Sequence, residues 1–392
     1  MRRILFLSEA VTWSQVVRLV VLARSLDPAR FAVSFAAARF DERLFGDAAF
    51  ARHTLSSLTP EQVDARLARG GRIYDRATLA GYVDEELRLF EELQPDLVVS
   101  DLRWSTCVSA PLAQVKLATL IDAYWFRDDA RFPIPDHPAV RFFGAERVKH
   151  GFARALPFVM RHFAAPVNAL RQRHGLPRVG ELRDVLGFGD RLLFPDEPAL
   201  APSNRAGTYL GPVLWAPELP LPPWWSEVGV DRPLVYATLG SSGPIEILPR
   251  LLEALGGLDV DVVLSSAARA VPRALPARVR LVEAIRGDLA ARRASAVVCS
   301  GGASSGWQAL AEGRPIVGIP SNLDACLAMS CIEEAGAGIG LRPTASVAQL
   351  RAAIVRALED PSLRAASGAV ARSFAQLDAP ARFRAAVDEM LA

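Results

Sequence analysis

A proline-dense stretch in the middle of the chain, "LGPVLWAPELPLPPWW" from Leu210 to Trp225, carries Pro212, Pro217, Pro220, Pro222 and Pro223. Proline fixes φ and gives up a backbone donor, so helix and central strand are excluded there and a stiff extended connection is expected. The same grammar repeats on either side of this strap. Ahead of it the short apolar runs are "RILFLS", "FAVSFAA", "LVVSD" and "VKLATLID". Behind it they are "PLVYATLG", "VDVVLSS", "RVRLVEA", "SAVVCSGG" and "PIVGIP". Helical stretches lie between them; in the first, Val16, Leu19, Val20, Ala23 and Leu26 recur at helical spacing and Pro28 follows the end. Such alternation specifies α/β units, parallel strands covered by helices on both faces.

A chain of 392 residues allows two or three domains at roughly 150 residues each. The strap makes the expected number two, both Rossmann-like. The boundaries are 1–212 for the first domain, 213–232 for the connection and 233–378 for the second domain. Residues 379–392 form a final helix that can pack back on the first domain. A ligand is expected in the cleft between the domains, at the carboxyl ends of the strands.

Charge and composition exclude several functions. The net charge is +2, too small for counterion-release binding, so no nucleic-acid partner is expected. Lys116 and Lys149 are the two lysines among 45 basic residues, and the arginine excess reads as compositional. Cys107, Cys299, Cys326 and Cys331 form no CxxC and no histidine cluster accompanies them, so inert buried thiols and no metal are expected. "MRRILFLSEA" is too short an apolar run for a signal peptide, and no stretch reaches the roughly 18 apolar residues of a membrane span. A soluble cytoplasmic protein is expected. Residues 141–178 are the exception to the even charge, with eight basic residues against Glu146 alone and apolar residues interleaved. Two readings stand: a basic amphipathic segment on an acidic membrane surface, or a helix pair capping the cleft with its arginines snorkelling into water.

The strongest chemical signal is "VVCSGGASSGWQALAEGRPIVGIPSNLDACLAM", Val297 to Met329. A strand ending at Cys299 runs into Ser300, Gly301, Gly302, Ala303, Ser304 and Ser305, and then into a helix. Glycines admit a ligand close to the backbone, the helix start offers free N–H groups, and serines add donors. That combination cradles phosphate; the plain alternative is a strand-to-helix turn with serine caps. Gly240-Ser241-Ser242-Gly243 sits at an equivalent strand end and can face the same phosphates, or be a simple turn. GxGxxG and a Walker lysine are both missing, so neither nicotinamide chemistry nor ATP hydrolysis is indicated.

With those motifs in place, "GSSGP", "SGGASSGWQALAEGRPIVGIPSNLD" and "AGAGIGL" resemble the donor-binding half of family 1 glycosyltransferases of the GT-B fold. "LSEAVTWSQVVRLVVLARSLDP", "PDLVVSDLRWSTCVSAPLA", "LIDAYW" and the linker "YLGPVLW" are similar to the N-terminal half of bacterial members, so the likeness is collinear over nearly the whole chain. The resemblance implies two domains facing each other across a cleft and an inverting transfer from a UDP- or dTDP-sugar to a small natural-product-type acceptor. It implies no metal and no further cofactor. By the same resemblance, Gln15 stands where the family has its base histidine, and Asp101 keeps the aspartate that orients it. Ser241, Ser300, Gly301, Gly302, Ser304 and Ser305 would hold the diphosphate, Ile285 and its neighbours the base, Gln308 the ribose, and Asp324 the sugar. Ala325 replaces the glutamine that partners that aspartate.

The departures have physical consequences. Glutamine accepts no proton near neutral pH, so Gln15 hydrogen-bonds the acceptor at most, and general-base catalysis worth about 10²- to 10⁴-fold is forfeited. An acceptor that is already ionised, acidic or an amine tolerates that loss. Asp101 acting directly, or His137 in "PIPDHP", are the other candidates, the plain reading of His137 being a loop histidine without a role. Losing the amide at Ala325 matters least for a deoxysugar. Three outcomes fit the altered centre: a glycosyltransferase with changed chemistry, a non-catalytic protein of the same fold, or a different reaction on the same scaffold.

Overall fold

A computed structural model describes the chain except at residues 49, 69–70, 129–131, 134–144, 241–242 and 273, and except for the side chains at 64, 67–68 and 145–150. The first sheet contains β1 (Arg2–Ser8), β2 (Phe31–Ala37), β3 (Ala51–Thr54), β4 (Leu97–Asp101), β5 (Leu117–Leu120), β6 (Arg191–Phe194) and β7 (Thr208–Tyr209). Its order is β3-β2-β1-β4-β5-β6-β7, and every pairing is parallel. The second contains β8 (Leu234–Thr238), β9 (Asp261–Ser265), β10 (Val279–Val282), β11 (Ala296–Cys299), β12 (Ile316–Gly318) and β13 (Gly338–Gly340), in the order β10-β9-β8-β11-β12-β13, again all parallel. The central strands are buried because helices cover both faces: Leu5, Phe6 and Leu7 of β1, and Leu97, Val98 and Val99 of β4, expose nothing. In each sheet the winding direction reverses beside the first strand, between β1 and β4 and between β8 and β11. A doubly wound sheet opens a crevice at that point.

The strap runs between β7 and β8 as an extended segment, except that Pro223–Glu227 closes one short 3-10 helix with Pro222 as its cap. The expectation that prolines exclude all helix is corrected there: a proline at the first helical position loses no bond, because its N–H would be unpaired anyway. Val213 and Trp215 of the strap pack on the first domain.

The helix Ala379–Leu391 leaves the second domain and packs on the first. Phe383 is fully buried with its ring 6.0 Å from that of Phe6, and Ala379, Ala386 and Val387 complete the contact. Polar bonds fix the register: Arg30 to Asp388 at 2.6 Å, Lys116 Nζ to the Met390 carbonyl at 2.5 Å, and Arg382 to the Tyr209 carbonyl at 3.0 Å.

The basic segment is one helix, Ala145–Arg173, rather than the helix pair expected from sequence. Leu156, Met160, Ala164, Val167 and Leu170 follow the helical repeat and are buried against the first domain, so the two prolines inside it, Pro157 and Pro166, are carried by packing. Arg154, Arg161 and Arg173 point to solvent, with Phe158, 70% exposed, beneath the Arg161 guanidinium. Among the described residues no helix is long and apolar enough to cross a membrane.

Truncating Phe383 removes a ring from the joint between the two ends of the chain. Phe383→Ala is expected to cost about 3–5 kcal/mol, read as a lower urea midpoint; a loss under about 1 kcal/mol, well below that range, would show that the C-terminal helix is not integral to the first domain.

Candidate active site

Three apolar strands of the first domain each run into an aspartate at the cleft. Asp101 ends β4, Asp122 follows β5 and Asp196 follows β6. The parallel register sets Asp101 beside Ser8 on one side and Leu120 on the other, so these ends form one row. The helix Trp13–Arg24 lies above it, and Arg18 reaches down into the row. Its Nε and Nη2 donate to the two oxygens of Asp101 at 3.1 and 3.0 Å, and its Nη1 donates to both oxygens of Asp122 at 2.7 and 2.8 Å. Leu102 turns the chain at φ 53, a conformation that branched side chains rarely take. The next residue, Arg103, then serves a separate buried network, bonding Glu86 at 2.7 Å and Glu9 at 3.1 Å.

The two residues expected at the reaction centre each have a partner within the first domain. Gln15 is buried, and its carbonyl accepts from the Thr12 N–H at 3.0 Å, closing a capping box on its own helix. Asp101 is 0% exposed, with both oxygens held by Arg18. The residue that partners Asp101 is one helical turn beyond the one expected.

In the second domain, Ser300 to Gly302 leave β11 and open the helix Ala303–Ala311 with Gly302 as its cap, and among the described residues no side chain caps it. Gly301 has φ +75, and a Cβ there would sit 3.4 Å from Met329 and from Pro320. Ser304 is exposed, while Ser300, Gly302 and Ser305 are half-buried, so the loop offers its donors outward. Ser241 and His137 lie outside the described residues. Gln308 and the Ile285–Gly287 turn do come together: a Cβ on Gly287 would run into the Gln308 Oε1. Two details differ from expectation. Ile285 is buried in the core and offers no open face, and the Gln308 amide donates to the Trp215 carbonyl at 2.9 Å, tying this helix to the strap. Between them lies a pocket of about 490 Å³ lined by Trp215, Glu218, Arg286, Asp288, Gln308 and Glu312.

Asp324 opens the helix Leu323–Glu334 and meets the first domain. Its Oδ1 accepts from the Tyr124 hydroxyl at 3.1 Å and from the Trp125 indole N–H at 2.9 Å. A second tie crosses the cleft where the Trp307 indole donates to Asp196 at 2.9 Å, while the other oxygen of Asp196 accepts from the Ala123 N–H at 2.6 Å. Arg127 adds a third, donating to Ser330 at 2.6 Å and pairing with Glu334. Arg18, Asp122, Tyr124, Trp125, Asp196 and Trp307 were not singled out from sequence. The signal for the aspartates was present in the repeated ending of "LVVSD", "ATLID" and "LLFPD".

A model of the erythromycin biosynthesis protein CIII-like C-terminal domain matches residues 249–390. A PGL/p-HBAD biosynthesis glycosyltransferase of Mycobacterium tuberculosis is 38% identical over 95% of this chain and 89% of its own length. A PGL/p-HBAD biosynthesis rhamnosyltransferase of Mycobacterium bovis is 39% identical over 95% of this chain and 84% of its own. The chain is a family 1 glycosyltransferase of the GT-B fold. A third relative, an inactive PGL/p-HBAD biosynthesis glycosyltransferase of Mycobacterium bovis, is 40% identical over 66% of this chain and 72% of its own length. The solved structure of spinosyn forosaminyltransferase SpnP shares the fold at a TM-score of 0.74, with 18% identity and coverage of 100% of this chain and 99% of that one.

The electrostatics of the glycosyltransferase cleft follow from placing one guanidinium among four carboxyls. Burial pushes Asp101 up to about 7 although Arg18 opposes it. Burial raises Asp196 as well, and the neighbouring Asp122 adds to it. The same two causes raise Asp324, against the hydrogen bond from Trp125. Burial works against the charge on Arg18, but Asp101 and Asp122 outweigh it and hold that residue well above its ordinary range.

An unfolded aspartate titrates near 3.9, so between that value and about 7 the folded enzyme keeps a proton on Asp101 that the unfolded chain has released. Stability contributed in this way is present below the unfolded value and declines as pH rises through the window. Urea midpoints are expected to fall between pH 5 and pH 8, and less steeply in Asp101→Asn; a midpoint rising over that range would contradict the assignment. Arg18→Met leaves the carboxyls without their cation and is expected to cost about 3–5 kcal/mol by the same measurement.

Proposed function

We propose that the glycosyltransferase moves a deoxyhexose, with inversion, from a UDP- or dTDP-sugar to a small acceptor whose nucleophilic oxygen is acidic, a phenol or a carboxylate. The observation that carries this reading is the state of the two positions where base chemistry is expected: Gln15 caps its own helix and Asp101 is clamped by Arg18. An ionised acceptor oxygen needs no strong base; it attacks the anomeric carbon while the carbon–oxygen bond to phosphate breaks and the electron pair leaves with the diphosphate. Ser300, the Gly301-Gly302 backbone, Ser304, Ser305 and Ser241 would receive that charge through N–H groups, hydroxyls and the helix dipole. Gln308 would take the ribose and Asp324 the sugar. The relative that is a rhamnosyltransferase supports a deoxysugar donor, since rhamnose is a 6-deoxyhexose. Substrates approach the protein from the aqueous side in this reading.

Incubation with UDP- and dTDP-sugars and a panel of phenol, carboxylate, amine and alcohol acceptors, with release of nucleoside diphosphate as readout, is expected to show transfer to phenols or carboxylates and at least tenfold less to alcohols. Efficient transfer to simple alcohols would refute the ionised-acceptor reading. A second reading, a non-catalytic protein that binds a nucleotide sugar, draws on the inactive relative. Ligand-induced melting shifts without any turnover would favour it. In either case Gly301→Ala, forced to hold φ +75, is expected to weaken nucleotide-sugar binding by about tenfold or more.

A further inference from the structure

Hydrogen-bonding capacity at the start of the helix Leu323–Glu334 can be counted atom by atom. The Ala325 N–H is taken by the side chain of Asn322 at 2.9 Å, and alanine brings no polar side chain. Asp324 Oδ1 receives two donors, the Tyr124 hydroxyl and the Trp125 indole N–H, which fills both of its lone pairs. Tyr124 is fully buried, and Asp122 and the 3-10 helix Ala123–Phe126 hold it in place, with Ala123 tied to Asp196. Both donors therefore come from the first domain on a rigid turn. Among the described residues, no donor reaches the other oxygen of Asp324, Oδ2.

We propose that Tyr124 and Trp125 determine donor-sugar selectivity: by filling Oδ1 of Asp324 they leave one carboxylate oxygen for the sugar, and the site thereby selects a sugar with fewer hydroxyls. This rests on the reading above that Asp324 faces the donor sugar. A fully hydroxylated sugar would carry into the closed cleft a hydroxyl that has given up water and found no acceptor, and such a group is penalised. A deoxy position at that point loses nothing. Tyr124 and Trp125 act through Asp324 and are positioning residues, and their effect is on the choice between sugars rather than on the rate with one of them. Removing both donors returns Oδ1 to the sugar.

The test compares dTDP-D-glucose with its 2-, 4- and 6-deoxy analogues, measuring both kcat/KM for transfer and Kd by calorimetry. The proteins are the full-length wild type, Tyr124→Phe and Tyr124→Phe/Trp125→Phe, each checked by thermal melting. Wild type is expected to prefer one deoxy analogue over the parent by about 10- to 100-fold. The preference should shrink in Tyr124→Phe and fall by about tenfold or more in the double variant, through tighter binding of the parent sugar. Tyr124→Phe keeps the buried ring, so it preserves the test if the double variant does not fold. An unchanged ratio, a parallel loss with every donor, or no deoxy preference in wild type would overturn the inference. If wild type binds donors but transfers none, the proposed transfer fails while the binding ratios still decide this point.

Discussion

Arg18 is the charge on which the cleft depends. Three parallel strands deliver Asp101, Asp122 and Asp196 to one edge of the first domain, and Asp324 approaches from the second. Packed together without a cation, these carboxyls would repel one another and lose their hydration. A guanidinium suits the place because it is planar and donates in two directions at once, one edge to Asp101 and the other to Asp122. A lysine ammonium would supply the charge without the fork. The position is one turn along the same helix from Gln15.

The remaining carboxyls join the domains. Asp196 belongs to the first domain and receives Trp307 from the second; Asp324 belongs to the second and receives Tyr124 and Trp125 from the first. Indole and phenol are suited to this because each buries a large apolar body while bringing one donor to a defined point. Arg127 with Ser330 and Glu334, and Gln308 with the strap carbonyl of Trp215, complete the joint. The helix that opens the expected donor site is thus held at both its strap side and its cleft side, and the C-terminal helix seals the far edge by returning to the first sheet.

Much of the framework was legible in the sequence because buried parallel strands must be nearly continuous apolar runs. "FAVSFAA" is β2 residue for residue, and "LVVSD" is β4. The edges were less legible. β3 is "ARHT", largely exposed, and β7 is the pair Thr208–Tyr209; neither contrasts with a loop. The basic segment gave two readings because its arginines dominate the composition, whereas its fate was decided by the stripe from Leu156 to Leu170 that packs inward. At the site, glycines and serines of the Ser300 loop were visible because their chemistry is local. Gln15 and Asp101 were visible as positions but not as contacts, since a side chain's partner depends on what the fold sets opposite it.

The sequence by itself determined the βα grammar on both sides of the proline strap, the glycine-serine run at Ser300–Ser305 and, at Gln15, a side chain that accepts no proton near neutral pH. Each of these is a property of neighbouring residues: strand and helix periodicity, proline's fixed φ, a glycine-serine run before a helix, a side chain that accepts no proton. Tertiary structure alone decided that Arg18 holds Asp101 and Asp122, that Tyr124 and Trp125 fill one oxygen of Asp324, and that the last helix closes on the first sheet. Those contacts reach far along the chain: 83 positions separate Arg18 from Asp101, and 200 separate Tyr124 from Asp324. Which of the carboxyls would find a cation, and which an indole, followed from the parallel register and the closing of the cleft, and neither leaves a trace in local sequence.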